Sequence, residues 1–281
     1  MRAVPADLDP AVVAAIDARL DGVEAQHGVA VGWAVESGSR AWGFPSPDSD
    51  YDCRFLYLRP VADHLTAWPR RDVIETPLDA VLDVNGWDLR KAMGLLVAGN
   101  ATVVEWLRSP IVYRGEPGLR ELLLELADQV VRPEAIARHY WHLGRNQWRR
   151  LGAGDTGTAV KVKGLFYALR PAAALHWLHA HPGRGVVPMR LQDLLQQAPP
   201  PAAVAEEVAA LVERKARTRE LGRAPVPDAV RDFVERWLLG EPPPALARGP
   251  EEVQRARRLA EEAYRGALQR FGPATPAFGA R

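Results

Sequence analysis

The sequence predicts an α+β fold: a mixed strand-and-helix N-terminal part, residues 1–118, and an all-helical C-terminal part, residues 119–281. Three observations predict it. Short runs of alternating apolar residues occur before Glu116. From Asp88 onward the apolar period lengthens from two to the helical value. After about Glu116 every apolar run is helical, and such a shift marks an α+β unit followed by helices. The boundary falls near Pro117 to Glu121.

The elements follow in order. Asp9 to Gln26 carries Val12, Val13, Ile16, Leu20 and Val23 at helical spacing, with Pro10 suited to a first turn. In VAVGWAVESGSR, Val29, Val31, Trp33 and Val35 alternate, giving a strand that ends at Gly38. GSRAWGFPSPDSD is too rich in Gly, Pro, Ser and Asp to continue it and reads as a turn or short helix plus loop. DYDCRFLYL is a second strand. HLTAWPRRDVIETPLDA reads as an excursion, followed by a third strand around Ala80 to Val84. DLRKAMGLLVAGNATVVEWLRS reads as two helices broken at Gly99-Asn100, with Asp88 suited to the first N-cap. IVYRG is a short edge strand. Helices follow to the tail, EEVQRARRLAEEAYRGALQRFG.

Composition narrows the class. At roughly 150 residues per domain, 281 residues make one large domain or two modest ones. Hydrophobic residues make up 47% and charged residues 25%, as in globular proteins. The net charge of +1 names no partner. Cys53 is the single cysteine, which excludes an intrachain disulfide and a cysteine zinc site and fits a reducing compartment. The N-terminus lacks the unbroken apolar core of a signal peptide. No run approaches the roughly 20 apolar residues of a membrane span. A cytoplasmic location with no membrane partner is expected.

The chemistry concentrates in GSRAWGFPSPDSDYDCRFLYL, Gly38 to Leu58. Asp50 and Asp52 stand two apart at the start of a strand, so their side chains leave on one face. Two carboxylates so placed repel each other unless a cation lies between them. Magnesium suits them, since it combines one or two carboxylates with substrate phosphates. A glycine at 38 lets backbone approach a phosphate. Ser39 adds a hydroxyl and backbone N–H groups at an expected helix start. Ser49 reads as a turn or capping residue. Together these suit phosphoryl chemistry, in which catalysis is mainly positioning and charge neutralisation.

The order Gly-Ser, Gly, Ser-Asp-x-Asp and an apolar strand resembles the signature of DNA polymerase beta-like nucleotidyltransferases. GSRAWGF…SDYD followed by RFLYL is similar to one branch, the nucleotidyltransferases associated with RNA ligase and RNA repair. WDLRKAMGLLVAGNATVVEWLRSPIVY and KVKGLFYALRPAAALHWL extend the resemblance to about residue 195. It implies a polymerase-beta-type catalytic domain and a helical substrate- or nucleotide-binding domain. It also implies a third carboxylate on a neighbouring strand that completes the metal site. Asp83, between Leu82 and Val84, is the favoured candidate; Asp88 has a ready role as N-cap, and Asp79 is a weaker contender.

Arg54 lies on the Asp50/Asp52 face and suits either a phosphate or a surface ion pair. Arg90 and Lys91 default to a solvated helix face, with a triphosphate contact as the sharper reading. Asn100 and Glu105 read as a helix break and an exposed acid, or as a polar cluster near the site. Trp87 and Trp106 read as core. Between Arg132 and Arg170 the cations Arg132, Arg138, Arg145, Arg149, Arg150, Lys161, Lys163 and Arg170 face only Glu134 and Asp155. His139, Tyr140, Trp141, His142, Trp148 and Tyr167 are interleaved. Such a mixture suits a nucleoside triphosphate or single-stranded nucleic acid; the alternative sends aromatics to the core and arginines to water. Lys163, Tyr167 and Arg170 are the strongest candidates. The basic run ending the helix after Ala202 reads as solvated.

These readings converge on transfer of a nucleoside monophosphate from a triphosphate. Two Mg²⁺ ions, or Mn²⁺ in their place, would be held by Asp50, Asp52 and Asp83. Gly38, Ser39, Arg54, Lys163, Tyr167 and Arg170 would hold the nucleotide, and the acceptor would be an RNA 3′ end. Two rivals stand beside it: transfer to a protein or small-molecule hydroxyl, and a nucleotide-sensing or RNA-binding module with little turnover.

Overall fold

A computed structural model describes residues 1–79, 81–152, 159–217 and 222–274. Helix α1 (Pro10–His27) starts where the Asp9 carboxylate accepts the Ala11 N–H at 2.8 Å, and stops at Gly28, whose φ of 61° is left-handed. Strands β1 (Ala30–Glu36), β2 (Tyr51–Leu58), β3 (Val73–Glu75), β4 (Leu82–Asp88) and β5 (Val112–Gly115) form one sheet in the order β3-β4-β2-β1-β5. β2 and β4 are parallel, and the other pairings are antiparallel.

Two strands differ from expectation. β3 lies inside the stretch read as an excursion, where three residues are too few to show a period. The third strand runs Leu82–Asp88 rather than ending at Val84, and Ala80 lies outside the described residues. Asp83, Asn85, Gly86 and Asp88 are poor strand formers, and pairing with β2 overrides that preference. Gly86 is required there because a Cβ would meet the Phe55 ring. Asp88 closes β4 and caps α2 (Leu89–Val97), accepting the Arg90 N–H at 2.8 Å. Asn100 caps α3 (Ala101–Arg108) in the same way.

The sheet's two faces follow the period of two. Ala34, Cys53, Phe55, Tyr57 and Val84 pack with Ile16, Leu20 and Val23 of α1. Trp33, Val35, Leu56 and Leu58 face the other way, into a core shared with α2, α3 and the C-terminal helices. Those helices are α4 (Pro117–Val130), α5 (Pro133–Leu151), α6 (Val162–Ala180), α7 (Leu191–Gln197), α8 (Ala202–Arg217), α9 (Asp228–Leu238) and α10 (Pro250–Phe271). The apolar cluster is continuous from Trp33 to Leu119, Phe166 and Leu169. Burying each such large side chain contributes about 1.5–3 kcal/mol.

The C-terminal part is not entirely helical. β6 (Ala159–Lys161) and β7 (Arg223–Pro225) form a two-stranded antiparallel ribbon beside the start of α6. Among the described residues no helix is long and apolar enough to cross a membrane.

Candidate active site

The corner after β1 is built from turns rather than the helix start expected at Ser39. Ser37 N–H donates to Asp52 O (2.8 Å), Trp42 N–H to Gly38 O (2.9 Å) and Phe44 N–H to Ser39 O (3.0 Å). Gly38 lies against β2, where any Cβ would collide with the Asp52 carboxylate. The glycine is therefore needed for close approach to the aspartate itself. The Ser39 hydroxyl donates to Ser49 Oγ (2.9 Å), which also accepts the Ser46 N–H (2.9 Å). Arg40, which sequence reasoning passed over, closes the loop. Its Nη2 reaches Ser49 O at 2.6 Å, its Nε reaches Asp50 O at 3.2 Å, and its guanidinium sits 3.9 Å from the Tyr51 ring centre. Ser49 is thus a turn residue, as expected.

Parallel pairing of β2 and β4 sets Asp52 directly beside Asp83 and Arg54 beside Asn85. All four project from one face of the sheet. Arg54 Nη2 lies 2.6 Å from Asp83 Oδ2 and 3.3 Å from Asp52 Oδ1. Asn85 Nδ2 donates to Asp83 Oδ1 at 2.5 Å. Burial is the largest influence on the Asp52 carboxyl and raises its pKa; Arg54 opposes this, and Asp83 and Asp50 reinforce it. Asp50 is exposed at the mouth of the strand. Among the described residues no three His, Cys, Asp or Glu side chains are gathered as a ready-made metal site. A cation is nonetheless already seated between two of the three acids, and it is the Arg54 guanidinium. The carboxylate oxygens of Asp52 and Asp83, with backbone brought close at Gly38, are donors of the kind magnesium takes.

The alternatives for the third acid are engaged elsewhere. Asp88, besides capping α2, pairs with the buried Arg59 at 3.1 Å. Asp79 accepts the Val81 and Leu82 N–H groups and pairs with Arg19.

Helix α6 brings Lys163 and Tyr167 to this face. The field of Lys163 acts on Asp52, while Asp52 and Asp50 add to the burial that raises the Tyr167 pKa. Tyr167 meets the Trp42 ring edge-on at 5.3 Å. Lys163 and Tyr167 also line a groove of about 480 Å³ with Gln147, Arg150, Lys161 and Arg223.

Arg170, the third candidate on α6, turns inward. It pairs with Glu105 at 2.7 Å, donates from Nε to Met189 O at 2.9 Å, and is 2% exposed. Glu105 also accepts the Tyr140 hydroxyl at 2.8 Å. Both arginine and glutamate belong to a buried network, which runs against the expectation that Arg170 meets nucleotide; of the two readings of Glu105, it is part of a polar cluster rather than an exposed acid. Arg170 falls within the run Ala168 to Leu175, which is buried throughout, whereas Lys163 and Tyr167 lie nearer the start of α6, where it reaches the groove.

Lys215 was read as part of a solvated run and is instead buried, with Nζ 2.5 Å from Phe44 O and 5.0 Å from that residue's ring centre. Burial, then the field of Lys163, lowers its pKa to about 8. It continues the stripe Val204, Val208, Leu211, a spacing that could have revealed it. Glu36 was also missed. It is fully buried behind Asp52, accepting the Asp52 N–H at 3.0 Å and the Tyr113 hydroxyl at 2.6 Å. Burial pushes its pKa up to about 7. Its signal was an acid in an otherwise apolar strand.

Trp87 and Trp106 pack against each other with centroids 4.2 Å apart, as core residues should. Tyr140, Trp141 and Trp148 are buried, so three of the six interleaved rings serve the core. Asp155 lies outside the described residues. Arg90 and Lys91 follow β4 at the end opposite Asp83, about 17 Å away by strand rise; Lys91 pairs there with Asp72.

The geometry can be set beside known proteins. YcgL of Bacillus subtilis (strain 168), described as uncharacterized, is 38% identical over 213 residues, covering 76% of this chain and 80% of that protein. A nucleotidyltransferase-like protein from Exiguobacterium sibiricum 255-15 aligns over 90% of this chain and 76% of its own, with 10% identity and a TM-score of 0.27. The model of the RNA repair pathway DNA polymerase beta family matches residues 12–264, nearly the whole length from α1 into α10. The chain belongs to the RNA repair pathway DNA polymerase beta family.

Proposed function

We propose that the protein is a magnesium-dependent nucleotidyltransferase that moves a nucleoside monophosphate from a triphosphate to the 3′ hydroxyl of RNA. The observation that carries this reading is the placement of Asp52 beside Asp83, against the Gly38 backbone. Asp50, Asp52 and Asp83 would hold magnesium, with manganese as a substitute. The metal supplies charge neutralisation on the phosphates and favours the ionised acceptor oxygen. Lys163, whose field reaches Asp52, would take triphosphate charge; Tyr167 and Trp42 would supply an aromatic wall beside it. The Gly38-Ser39 corner would present backbone to the phosphates, with its loop held by Arg40 and Lys215.

In the reaction the acceptor oxygen bonds to the α-phosphorus while the bridge to the β-phosphate breaks. Pyrophosphate departs with that electron pair, and the acceptor proton passes to Asp83. The groove lined by Arg150, Lys161 and Arg223 would guide the RNA backbone, since cations next to an aromatic residue suit single-stranded nucleic acid.

The test is transfer from α-³²P-labelled triphosphates to RNA, protein and small hydroxyl acceptors. Asp52→Asn and Asp83→Asn should each lower transfer to RNA by roughly 10²–10³-fold or more while leaving thermal unfolding cooperative. Transfer that persists at the wild-type rate overturns the mechanism. Transfer to protein or small acceptors alone overturns the RNA assignment, and nucleotide uptake without any transfer makes the protein a sensor.

A further inference from the structure

The two acids at the centre of the site are already paired, and their partner comes from the same strand. Arg54 Nη2 spans Asp83 Oδ2 and Asp52 Oδ1, while its Nη1 donates to Asp83 O at 2.9 Å and Cys53 O at 3.1 Å. Asn85 occupies the remaining Asp83 oxygen. Asp83 therefore has neither carboxylate oxygen free, and Asp52 has one of two engaged. The pairing is not sealed in the core: Arg54, Asp52 and Asp83 keep side-chain exposures of 20%, 32% and 29%.

We propose that Arg54 is an exchangeable counter-ion that a divalent metal must displace from Asp52 and Asp83, so that metal and triphosphate bind the site as a coupled pair. This rests on the metal-dependent reading above and adds an order to it. Without a cation, adjacent carboxylates on neighbouring strands repel each other. Arg54 relieves that repulsion and holds the acids in register while the site is empty. A metal arriving alone must break two ion pairs and leave a guanidinium with no anion. A metal arriving with triphosphate brings an anion for that guanidinium, on the face where Lys163 adds a second positive charge. Each ligand then lowers the cost of the other's binding, and the two coupling factors are equal by linkage.

The experiment uses the full-length chain and two titrations. In the first, Mn²⁺ alone is titrated and free ion is followed by electron paramagnetic resonance. Arg54→Gln should bind Mn²⁺ about tenfold more tightly than wild type, within the usual range of coupling energies. Arg54→Lys, which keeps the charge and loses the fork, should fall between them. Lys163→Gln removes a charge that acts on Asp52 without touching it, and should change Mn²⁺ affinity less than threefold. In the second, an α,β-methylene triphosphate is titrated by calorimetry with and without Mn²⁺. The metal should tighten wild-type binding at least tenfold, and the gain should shrink in Arg54→Gln. Equal or weaker Mn²⁺ binding by Arg54→Gln, or a tightening of Mn²⁺ binding by Lys163→Gln as large as that by Arg54→Gln, overturns the exchange. If wild type takes up no analogue even with saturating Mn²⁺, the metal-dependent reading itself fails, and the exchange with it.

Discussion

Two of the protein's arginine–carboxylate assemblies have similar contact distances and differ in what surrounds them. Arg170 and Glu105 meet between α6 and α3, with side chains 3% and 9% exposed. Arg54 meets Asp83 and Asp52 at the open end of the sheet, with every member at least one-fifth exposed. Distances are similar, 2.7 and 2.6 Å. Burial makes the difference. A guanidinium that has given up water for one carboxylate, one carbonyl and the faces of Trp42 and Tyr140 has no cheap alternative partner. One that keeps access to solvent can trade its carboxylates for a phosphate. Geometry alone does not separate a structural ion pair from a functional one; the dielectric around it does.

The largest expected effect follows from the closed pair. Arg170→Met should destabilise the fold by about 3–5 kcal/mol, because Glu105 and the Tyr140 hydroxyl stay buried without their cation. Urea denaturation checks it. The double change Glu105→Met with Arg170→Met should recover much of the loss, since no uncompensated charge remains. A loss under 1 kcal/mol for Arg170→Met would mean that burial does not lock this pair, and the contrast with Arg54 would dissolve.

Glu36 lies between the two cases, fully buried yet one backbone bond from Asp52. Its folded pKa of about 7 lies above the ordinary value of 4.5. The folded state therefore holds the proton more tightly than the unfolded chain does. This contribution is fully present below pH 4.5 and is lost as pH rises through 7. Stability should fall by on the order of 2–3 kcal/mol between pH 5 and pH 8, at 1.36 kcal/mol per pKa unit. Glu36→Gln should flatten that slope. Chemical denaturation across the range decides it, and an unchanged slope in the variant would assign the pH dependence to another group.

The same burial argument explains what the sequence could reveal. Alternation of Val29, Val31, Trp33 and Val35 exposed β1, and the apolar run Phe55 to Leu58 exposed β2, which packs on both faces. Asp52 was legible as an acid at the start of an apolar strand, whereas Asp50, expected on the same strand, precedes β2 and is exposed. Asp83 was legible only as an acid between Leu82 and Val84; its place beside Asp52 depends on a parallel pairing that no local pattern encodes. β4 was drawn short because its polar residues hide a strand formed through pairing with β2. Arg170 was misread because a basic, aromatic segment was weighed as a surface, although α6 buries Val162, Leu165, Phe166, Leu169 and Trp177 around it. Lys215 was misread for the opposite reason: its charge outweighed its position on the apolar stripe of α8.

The smallest expected effect closes the contrast. If solvent keeps the Arg54 assembly exchangeable, Arg54→Gln should change the unfolding free energy by less than about 1 kcal/mol, the usual range for ion pairs with solvent access. Urea denaturation without metal gives the number, on the same scale as Arg170→Met. Raising salt from 0.05 to 0.5 M, roughly the range over which screening shortens from above 10 Å to below 8 Å, should erode even that difference while leaving the Arg170 effect nearly intact. A loss for Arg54→Gln comparable to that for Arg170→Met would make Arg54 a structural brace. A phosphate could not then draw it from Asp52 and Asp83, because the energy holding the guanidinium in place would exceed what one new ion pair returns.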